Sequence, residues 1–191
     1  MERLRRNEFL RLTGLTNERL DGYARRDQLP WSIADELSGY SWFEAFLQLV
    51  IEDLCGKPKL ERRAAAKATA CAIAPALAAH WHAIVNSAED ATAPEIVWVR
   101  LTHKHSEEGP QLSNIVGTTT EVGAAISFLP DYRKIDGGSA TACAAIMIRR
   151  AGEHAIEIPD DFWTTAPTFI ADDAEGMWAR AIEASVAKVT K

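Results

Sequence analysis

The chain has 191 residues, of which 47% are hydrophobic and 25% charged, and its formal net charge is −6 at pH 7. This length accommodates one large or two small domains, and the composition excludes a disordered or fibrous chain. No apolar run is long enough to cross a bilayer, the first six residues lack the apolar region of a signal peptide, and the three cysteines are far apart. We therefore expect a cytoplasmic protein with no membrane partner.

The acidity lies in the second part of the chain. Residues 1–70 hold twelve Lys and Arg against eleven Asp and Glu, whereas residues 71–191 hold nine against sixteen. The overall negative charge argues against nucleic-acid binding. A near-neutral first part with Arg3, Arg5, Arg6 and Arg11 at its start is nevertheless compatible with it.

Residues 7–15 predict a short helix that ends in a glycine turn. Asn7 can cap the helix with its side-chain oxygen, and the apolar residues that follow give the helix one side that faces the core. The helix is expected to end at Thr13, because Gly14 tolerates the backbone conformation that reverses the chain. Leu15 would then plug the turn into the core.

A second helix is predicted at residues 18–26, capped by Thr16 or Asn17 and with Leu20 toward the core. A short helix that crosses at a glycine turn into a second, basic helix is how many proteins place side chains in the major groove of DNA. This segment therefore carries the most direct functional information in the chain.

The second helix has a predicted basic face. Arg19, Tyr23 and Arg26 follow one another at spacings of four and three residues, which places them on one side. Arginines and a tyrosine hydroxyl can bind phosphates, and arginine can also bind base edges. The alternative is a solvated surface helix in which Arg25 and Arg26 only stabilise the C-terminus through the helix dipole.

A wing is predicted after the second helix. Residues 29–31, Leu-Pro-Trp, end that helix, and residues 32–40 show no helical period. This stretch contains the pair Gly39 and Tyr40, so a loop or a small β-wing fits it best.

A third helix is predicted at residues 42–54. Ser41 and Glu44 have the spacing of a capping box, and Gly56 and Pro58 stop the helix. Its apolar residues recur at three and four positions and form one wide stripe. The order helix, turn, helix, wing, helix is that of a winged helix-turn-helix unit.

In this order of elements the chain resembles the MerR family of transcription regulators. The match runs without gaps through residues 12–26, where the family's glycine turn, apolar position and tyrosine–arginine pattern correspond to Gly14, Leu20, Tyr23, Arg25 and Arg26. The wing is similar at Gly39 and Tyr40, and the third helix and the start of the next are similar at Leu47, Ile51, Leu54, Gly56 and Leu60. The resemblance covers about residues 7–62.

The resemblance implies a set of DNA contacts. The second helix would dock in the major groove, and Tyr40 with Trp31 would grip the flanking backbone from the wing. The candidate DNA-binding residues are Arg6, Arg11, Thr16, Asn17, Arg19, Tyr23, Arg25, Arg26, Trp31 and Tyr40.

Four positions depart from the family. Asp21 stands where the family usually has arginine, Gly22 where it has an aromatic residue, Asp27 where it has glycine, and Ser41 where it has the wing arginine. Two lost arginines and two added carboxylates weaken phosphate contact. The chain could be a divergent member, a phage or plasmid accessory protein of DNA packaging or excision, or a protein that keeps the unit only for protein contact.

An alanine-rich helix is predicted at residues 59–86, kinked or divided at Pro75. A seam of roughly heptad spacing comprises Leu60, Ala64, Ala68, Cys71, Ala78, Trp81 and Val85. In the resembled family the helix at this place pairs with its partner's copy, which implies a homodimer that matches a palindromic site. The alternative is that the helix packs inside its own chain.

The predicted fold class is α+β with three parts: a winged helix-turn-helix domain at residues 1–57, the connecting helix at 58–91, and an α+β domain at 92–191. Strands of the last part are expected at residues 96–101, 123–129, 141–149 and 153–158. Residues 130–138 would form a turn-rich link, and a helix from residue 172 would close the domain.

Metal binding and catalysis have weak signals. His80 and His82 diverge on a helix, whereas His103 and His105 share one face of a strand but have no obvious further ligand. Adjacent carboxylates at 107–108 and 160–161 are typical of solvated loops. Trp98, Phe128, Trp163 and Phe169 could line a ligand pocket, although such aromatics more often form plain core. We expect no metal, no cofactor and no catalytic residue.

The sequence thus predicts a sequence-specific DNA-binding transcription regulator. Its partners would be double-stranded DNA, a second copy of the chain, and a small-molecule or protein effector at the C-terminal domain. The alternative is a protein-interaction module, such as an anti-activator, that keeps the winged-helix fold.

Overall fold

The computed structural model describes residues 3–26, 28–31, 39–56, 61–69, 73–103, 112–128, 132–164 and 167. It confirms the α+β class, since helices combine with a small antiparallel sheet. In chain order the described elements are α1 (Arg6–Thr13), α2 (Asn17–Arg25), α3 (Trp42–Gly56), α4 (Arg62–Ala68), α5 (Ala74–Ala79), α6 (Trp81–Glu89), β1 (Ile96–His103), β2 (Leu112–Thr118), α7 (Thr119–Ser127), β3 (Tyr132–Ser139), α8 (Ala140–Glu153) and α9 (Asp160–Thr164).

The first helix and its glycine turn are confirmed. Helix α1 begins one residue earlier than expected, because the carboxylate of Glu8 accepts a hydrogen bond from the backbone N–H of Arg5 at 2.7 Å and so fixes the first turn. The helix ends at Gly14, whose φ of 72° is left-handed and whose N–H donates to Leu10 O at 2.8 Å. Leu15 is buried and anchors the turn in the core.

The second helix is also confirmed. Thr16 is its cap, since the Thr16 hydroxyl accepts a hydrogen bond from the N–H of Arg19 at 3.3 Å. Leu20 is fully buried, as the sequence indicated. Helices α1 and α2 therefore form a helix-turn-helix pair around the turn at Gly14.

Helix α3 is the centre of the molecule. Its capping box is present: the Ser41 hydroxyl accepts from the N–H of Glu44 at 3.0 Å, and the Glu44 carboxylate accepts from the N–H of Ser41 at 2.6 Å. Ten of its fifteen residues are buried, on all sides of the helix rather than on one stripe. Helices α1, α4 and α8 and strand β3 pack against it.

The segment before α1 pairs with the segment before α3. Leu4 and Tyr40 exchange two backbone hydrogen bonds of 2.7 and 2.8 Å as an isolated antiparallel bridge. Gly39 has a φ of 61°, and a Cβ there would lie 2.8 Å from Leu4 O, so the bridge requires glycine at this position. The rest of the predicted wing, residues 32–38, lies outside the described residues.

The alanine-rich stretch is helical, as predicted, and its described residues form α4, α5 and α6. Pro75 lies in the first turn of α5, where its missing N–H costs no helical hydrogen bond. The chain between α4 and α5, residues 70–72, lies outside the described residues. A break that was not predicted falls at His80, whose φ of −100° and ψ of 10° separate α5 from α6.

Two positions of the predicted dimer seam lie in the chain's own core. Trp81 is 1% exposed and Val85 is 3% exposed. The Trp81 ring contacts the rings of Phe43, Phe46 and Phe162, and its Nε1 donates to Phe162 O at 3.0 Å. The alternative of packing inside the chain therefore holds at these two positions. Leu60 and Cys71 of the seam lie outside the described residues.

The sheet has three described strands in the order β2-β1-β3, with β1 antiparallel to both neighbours. In the register, Val99 of β1 lies opposite Ile115 of β2 and opposite Gly137 of β3. The first predicted strand is confirmed and extends to His103, whereas β2 was not predicted.

Two predicted strands are helices. Residues 123–129 largely belong to α7 and residues 141–149 belong to α8. The missed signals are caps: Thr118 and Glu121 form a capping box, and the Ser139 hydroxyl accepts from the N–H of Ala142 at 2.9 Å. In α8 the buried residues recur at helical spacing, namely Ala140, Cys143, Ala144, Met147 and Ala151.

The predicted turn-rich link at residues 130–138 is strand β3 for most of its length. Its two glycines suggested a turn, but the sheet needs them for close approach. A Cβ on Gly137 would lie 2.8 Å from Trp98 O, and one on Gly138 would lie 2.6 Å from the Trp98 ring. The fourth predicted strand, residues 153–158, is the end of α8 followed by turns and irregular chain. The predicted helix from residue 172 lies outside the described residues.

One hydrophobic core runs through the predicted domain boundaries. It includes Phe9 of α1, Phe46 of α3, Trp81 of α6, Trp98 of β1 and Met147 of α8. Helix α8 packs against α1, α3, α6 and β1 together. The boundaries at 57/58 and 91/92 remain predictions, and the described parts on either side of them share their buried surface.

The glycine turn gives a stability test. Gly14→Ala should lower the free energy of unfolding by about 1–2 kcal/mol, because alanine resists the left-handed conformation. The added Cβ would also lie 3.1 Å from the Arg150 guanidinium. Gly123→Ala is the matched control: it lies within α7 with nothing within 4 Å, and should stabilise by roughly 0.5–1 kcal/mol. Urea unfolding measures both, and equal effects would refute the assigned turn.

Candidate nucleic-acid interface

The exposed side of α2 is set by what the helix buries. Leu20 and Tyr23 face the core, and Ala24 packs against it. The opposite side, at spacings of three and four residues, is here named the outer face of α2. It consists of Glu18, Asp21, Gly22, Arg25 and Arg26. A DNA groove would meet this face first, and it differs from the basic face predicted from the sequence.

Two residues of the predicted basic face, Arg19 and Tyr23, are turned toward α3 and α4, whereas the third, Arg26, belongs to the outer face. Arg19 and Tyr23 are in direct contact, since Nη2 and Nε of Arg19 donate to the Tyr23 hydroxyl at 2.8 and 3.1 Å. This hydrogen bond is the main reason that the pKa of Arg19 is raised. The Arg62 guanidinium covers the Tyr23 ring at 3.8 Å, as a cation–π contact. Glu52 lies between the two arginines, 2.6 Å from Arg62 and 3.6 Å from Arg19.

Tyr23 is therefore a packing residue in this structure. Its side chain is 8% exposed, and its hydroxyl already accepts two hydrogen bonds. A DNA contact by Tyr23 remains a prediction and would require this cluster to open. Arg19 keeps a half-exposed side chain and can reach solvent from the same place.

Arg6 and Asn17 tie α1 to the start of α2. Nε of Arg6 donates to Oδ1 of Asn17 at 2.8 Å, and the Arg6 guanidinium forms an ion pair with Asp21. Asp21, which departs from the resembled family, is thus locally compensated by Arg6. About half of the Asp21 side chain stays exposed, so this carboxylate still faces any ligand of α2.

Arg25 and Arg26 are exposed at the C-terminal end of α2. Nε of Arg25 donates to Asp21 O at 3.3 Å, and Nε of Arg26 donates to Oε1 of Gln28 at 3.2 Å. The Arg26 guanidinium also lies beside Gly22, 3.2 Å from the position of a Cβ. These contacts leave most of both guanidinium groups in solvent.

Charge on the outer face is mixed rather than basic. Hydrogen bonds from backbone N–H groups and from Thr16 at the N-terminus of α2 lower the pKa of Glu18, so its carboxylate is ionised at neutral pH. Arg11, Thr16 and Asn17 are exposed beside this face, with Thr16 also serving as the cap of α2.

Tyr40 and Trp31 lie in the core around Phe9. Tyr40 is 2% exposed and stacks on Phe9 at 4.2 Å between ring centres, while Trp31 meets the edge of Phe9 at 6.3 Å. Burial raises the pKa of Tyr40, and its hydroxyl has no hydrogen-bond partner among the described residues. The expectation that both residues grip the DNA backbone remains a prediction, but the burial of Tyr40 argues against it.

One residue missed by the sequence reasoning fixes the turn. Nη1 of Arg150, on α8, donates to Leu12 O at 2.9 Å, across 138 positions of sequence. Leu12 O is one of the last carbonyls of α1, which have no partner inside the helix. No local pattern could reveal this contact, because the two residues meet only when α8 packs on α1.

The structure also bears on the expectations about metal binding, membrane spans and an aromatic pocket. Within the described residues no group of three or more His, Cys, Asp or Glu is placed to bind a metal, and no helix has the length and apolar character needed to cross a bilayer. Of the predicted pocket aromatics, Trp98 is buried in the core and Phe128 is 84% exposed, while Phe169 lies outside the described residues.

Comparison with family models found no match to this chain, and comparison with curated proteins found none either.

Tyr40→Phe tests whether the buried Tyr40 hydroxyl lacks a hydrogen-bond partner. Removing a buried hydroxyl that lacks a partner should leave the free energy of unfolding unchanged or raise it by about 1 kcal/mol. Because the folded-state pKa is raised, the native protein loses stability as pH rises above the unfolded-state value of about 10, and the variant should not. Denaturation at two pH values measures this. A stability loss at neutral pH would show that the hydroxyl has a structural partner.

Proposed function

We propose that this protein is a sequence-specific DNA-binding regulator of transcription, built on a winged helix-turn-helix unit, that inserts α2 into the major groove. The observation that carries the proposal is the pair α1 and α2. It crosses at the left-handed Gly14, buries Leu20 and leaves an outer face that ends in the exposed Arg25 and Arg26. This is the arrangement by which a helix-turn-helix presents its second helix to base edges.

The outer face has the shape for close contact. Gly22 lies at its centre and carries no side chain, so the backbone of α2 can approach the floor of a groove about 12 Å wide once the Arg26 guanidinium beside it turns to a phosphate. Arg25 is assigned to base edges, where its fork can bind guanine, and Arg26 to a phosphate. Both roles follow from exposure and position at the end of the helix.

Arginines near α1 would bind the flanking phosphates. Arg5 and Arg11 are exposed on the same end of the chain as α2. With Arg25 and Arg26 they supply four cations, and four neutralised phosphates correspond to a slope of about −3.6 in log affinity against log salt. Glu18 and Asp21 oppose non-specific attraction, so the proposal favours selective over general DNA binding.

A homodimer is part of the proposal, because two-fold symmetry matches a palindromic operator. The dimer contact would use exposed positions of the alanine-rich stretch, such as Ala64 of α4, rather than the buried Trp81 and Val85.

A protein-interaction module is the second candidate, and the mixed charge of the outer face favours it. On one side of α2, Glu18 and Asp21 lie toward the N-terminus and Arg25 and Arg26 at the C-terminus, a pattern that complements a protein surface of mixed charge. Salt separates the two candidates. DNA binding through several phosphates weakens by orders of magnitude between low and physiological salt, whereas an apolar protein contact does not.

The decisive variant is Arg25→Ala with Arg26→Ala. We expect at least about a tenfold loss of affinity for a duplex enriched by selection from random sequences, and a salt slope reduced by about 1.8. Arg149→Ala is the matched control, since Arg149 is exposed on α8 and forms an ion pair with its neighbour Glu153. Gel shift at several salt concentrations measures all three proteins. Failure to enrich any duplex, or equal binding by the double variant, would rule the proposal out.

A further inference from the structure

A cleft of about 380 Å³ separates the helix-turn-helix pair from α8. Its walls are the turn at Gly14, the second half of α3, and one side of α8 from its N-terminal cap to Arg150. It is here named the α8 cleft. Its volume falls at the small end of ligand sites in proteins, which suits a molecule with one ring or one short branched chain.

The floor of the α8 cleft is apolar. Leu15 and Leu49 line it from the turn and from α3, and both are less than a tenth exposed. Cys143 and Ile146 line it from α8, one helical turn apart. A ligand that fills the cleft would therefore bury an apolar body.

Arg150 gives the cleft a cation with hydrogen-bond donors to spare. Within the described residues its guanidinium makes one hydrogen bond, to Leu12 O, and no ion pair. A guanidinium has five N–H donors, so most of its capacity is unused. The N-terminal turn of α8, capped by Ser139, adds partial positive charge to the same wall.

Two carboxylates line the cleft from α3, those of Glu52 and Asp53. Glu52 is shared by Arg19 and Arg62, and Oδ2 of Asp53 is buried. On the α8 side the charged group is the Arg150 guanidinium, beside the apolar floor. A planar carboxylate matches a guanidinium in two parallel hydrogen bonds.

We propose that the α8 cleft binds a small monocarboxylate with an apolar body. The carboxylate is held by Arg150, and the apolar body lies against Leu15, Leu49 and Ile146. This ligand site does not depend on DNA binding.

A consequence for regulation rests on the proposed function. Arg150 donates to the last turn of α1, so a carboxylate that pairs with the same guanidinium is linked directly to Leu12 O. Ligand binding would then change the support of the turn that orients α2.

The test measures ligand binding without DNA. Benzoate and 4-methylpentanoate are titrated by calorimetry and thermal shift at constant ionic strength, with benzamide and 4-methylpentanamide as uncharged matches. We expect saturable binding of at least one acid, with its amide at least about tenfold weaker, because the amide loses the charge-assisted pair.

Two variants locate the site. Ala142→Trp fills the cleft from an exposed position of α8 and should abolish binding without loss of fold. Arg150→Gln should weaken the acid about tenfold and leave the amide unchanged, whereas the neighbouring Arg149→Gln should change neither. Absence of saturable binding by both acids, equal binding of acid and amide, or full binding by folded Ala142→Trp overturns the proposal. A positive result stands even if no duplex is bound.

Discussion

The burial of α3 on all sides is the constraint on which the rest of the structure depends. A helix that is apolar all round cannot remain at a surface, so it requires cover from several directions. Helices α1, α4 and α8 and strand β3 cover parts of it, and the rings of Trp81 and Phe162 cover its N-terminal half. The rings of Phe43 and Phe46 of α3 also contact the ring of Trp81, and this contact packs the alanine-rich stretch into the core of its own chain.

The same packing fixes the position of the proposed DNA-binding helix. Since α8 lies against both α1 and α3, Arg150 reaches Leu12 O and supports the turn at Gly14. On the other side, Glu52 of α3 holds Arg19 and Arg62 around Tyr23. These two contacts orient α2, and they determine that Gly22, Arg25 and Arg26 face outward while Tyr23 does not.

Local signals made the N-terminal part predictable. The caps at Thr16 and Ser41 and the turn at Gly14 are short-range features. They predicted the ends of α1, α2 and α3 to within one or two residues. The second part was harder, because short apolar runs suit a strand or a buried helix equally. The caps at Thr118 and Ser139 could have identified α7 and α8, whereas the glycines of β3 make sense only beside Trp98. The site was half predictable: exposure of Arg25 and Arg26 followed from the helix, but burial of Tyr23 and Tyr40 depends on distant packing partners.

Amide hydrogen exchange on the protein with and without a short duplex at low salt tests the central claim most directly. If the outer face of α2 enters the groove, exchange in residues 17–26 slows when the duplex is added, while α7 and β2, in the sheet part, are unchanged. Unchanged exchange in α2 on a duplex that does bind, with slowing elsewhere in the chain, would contradict the account.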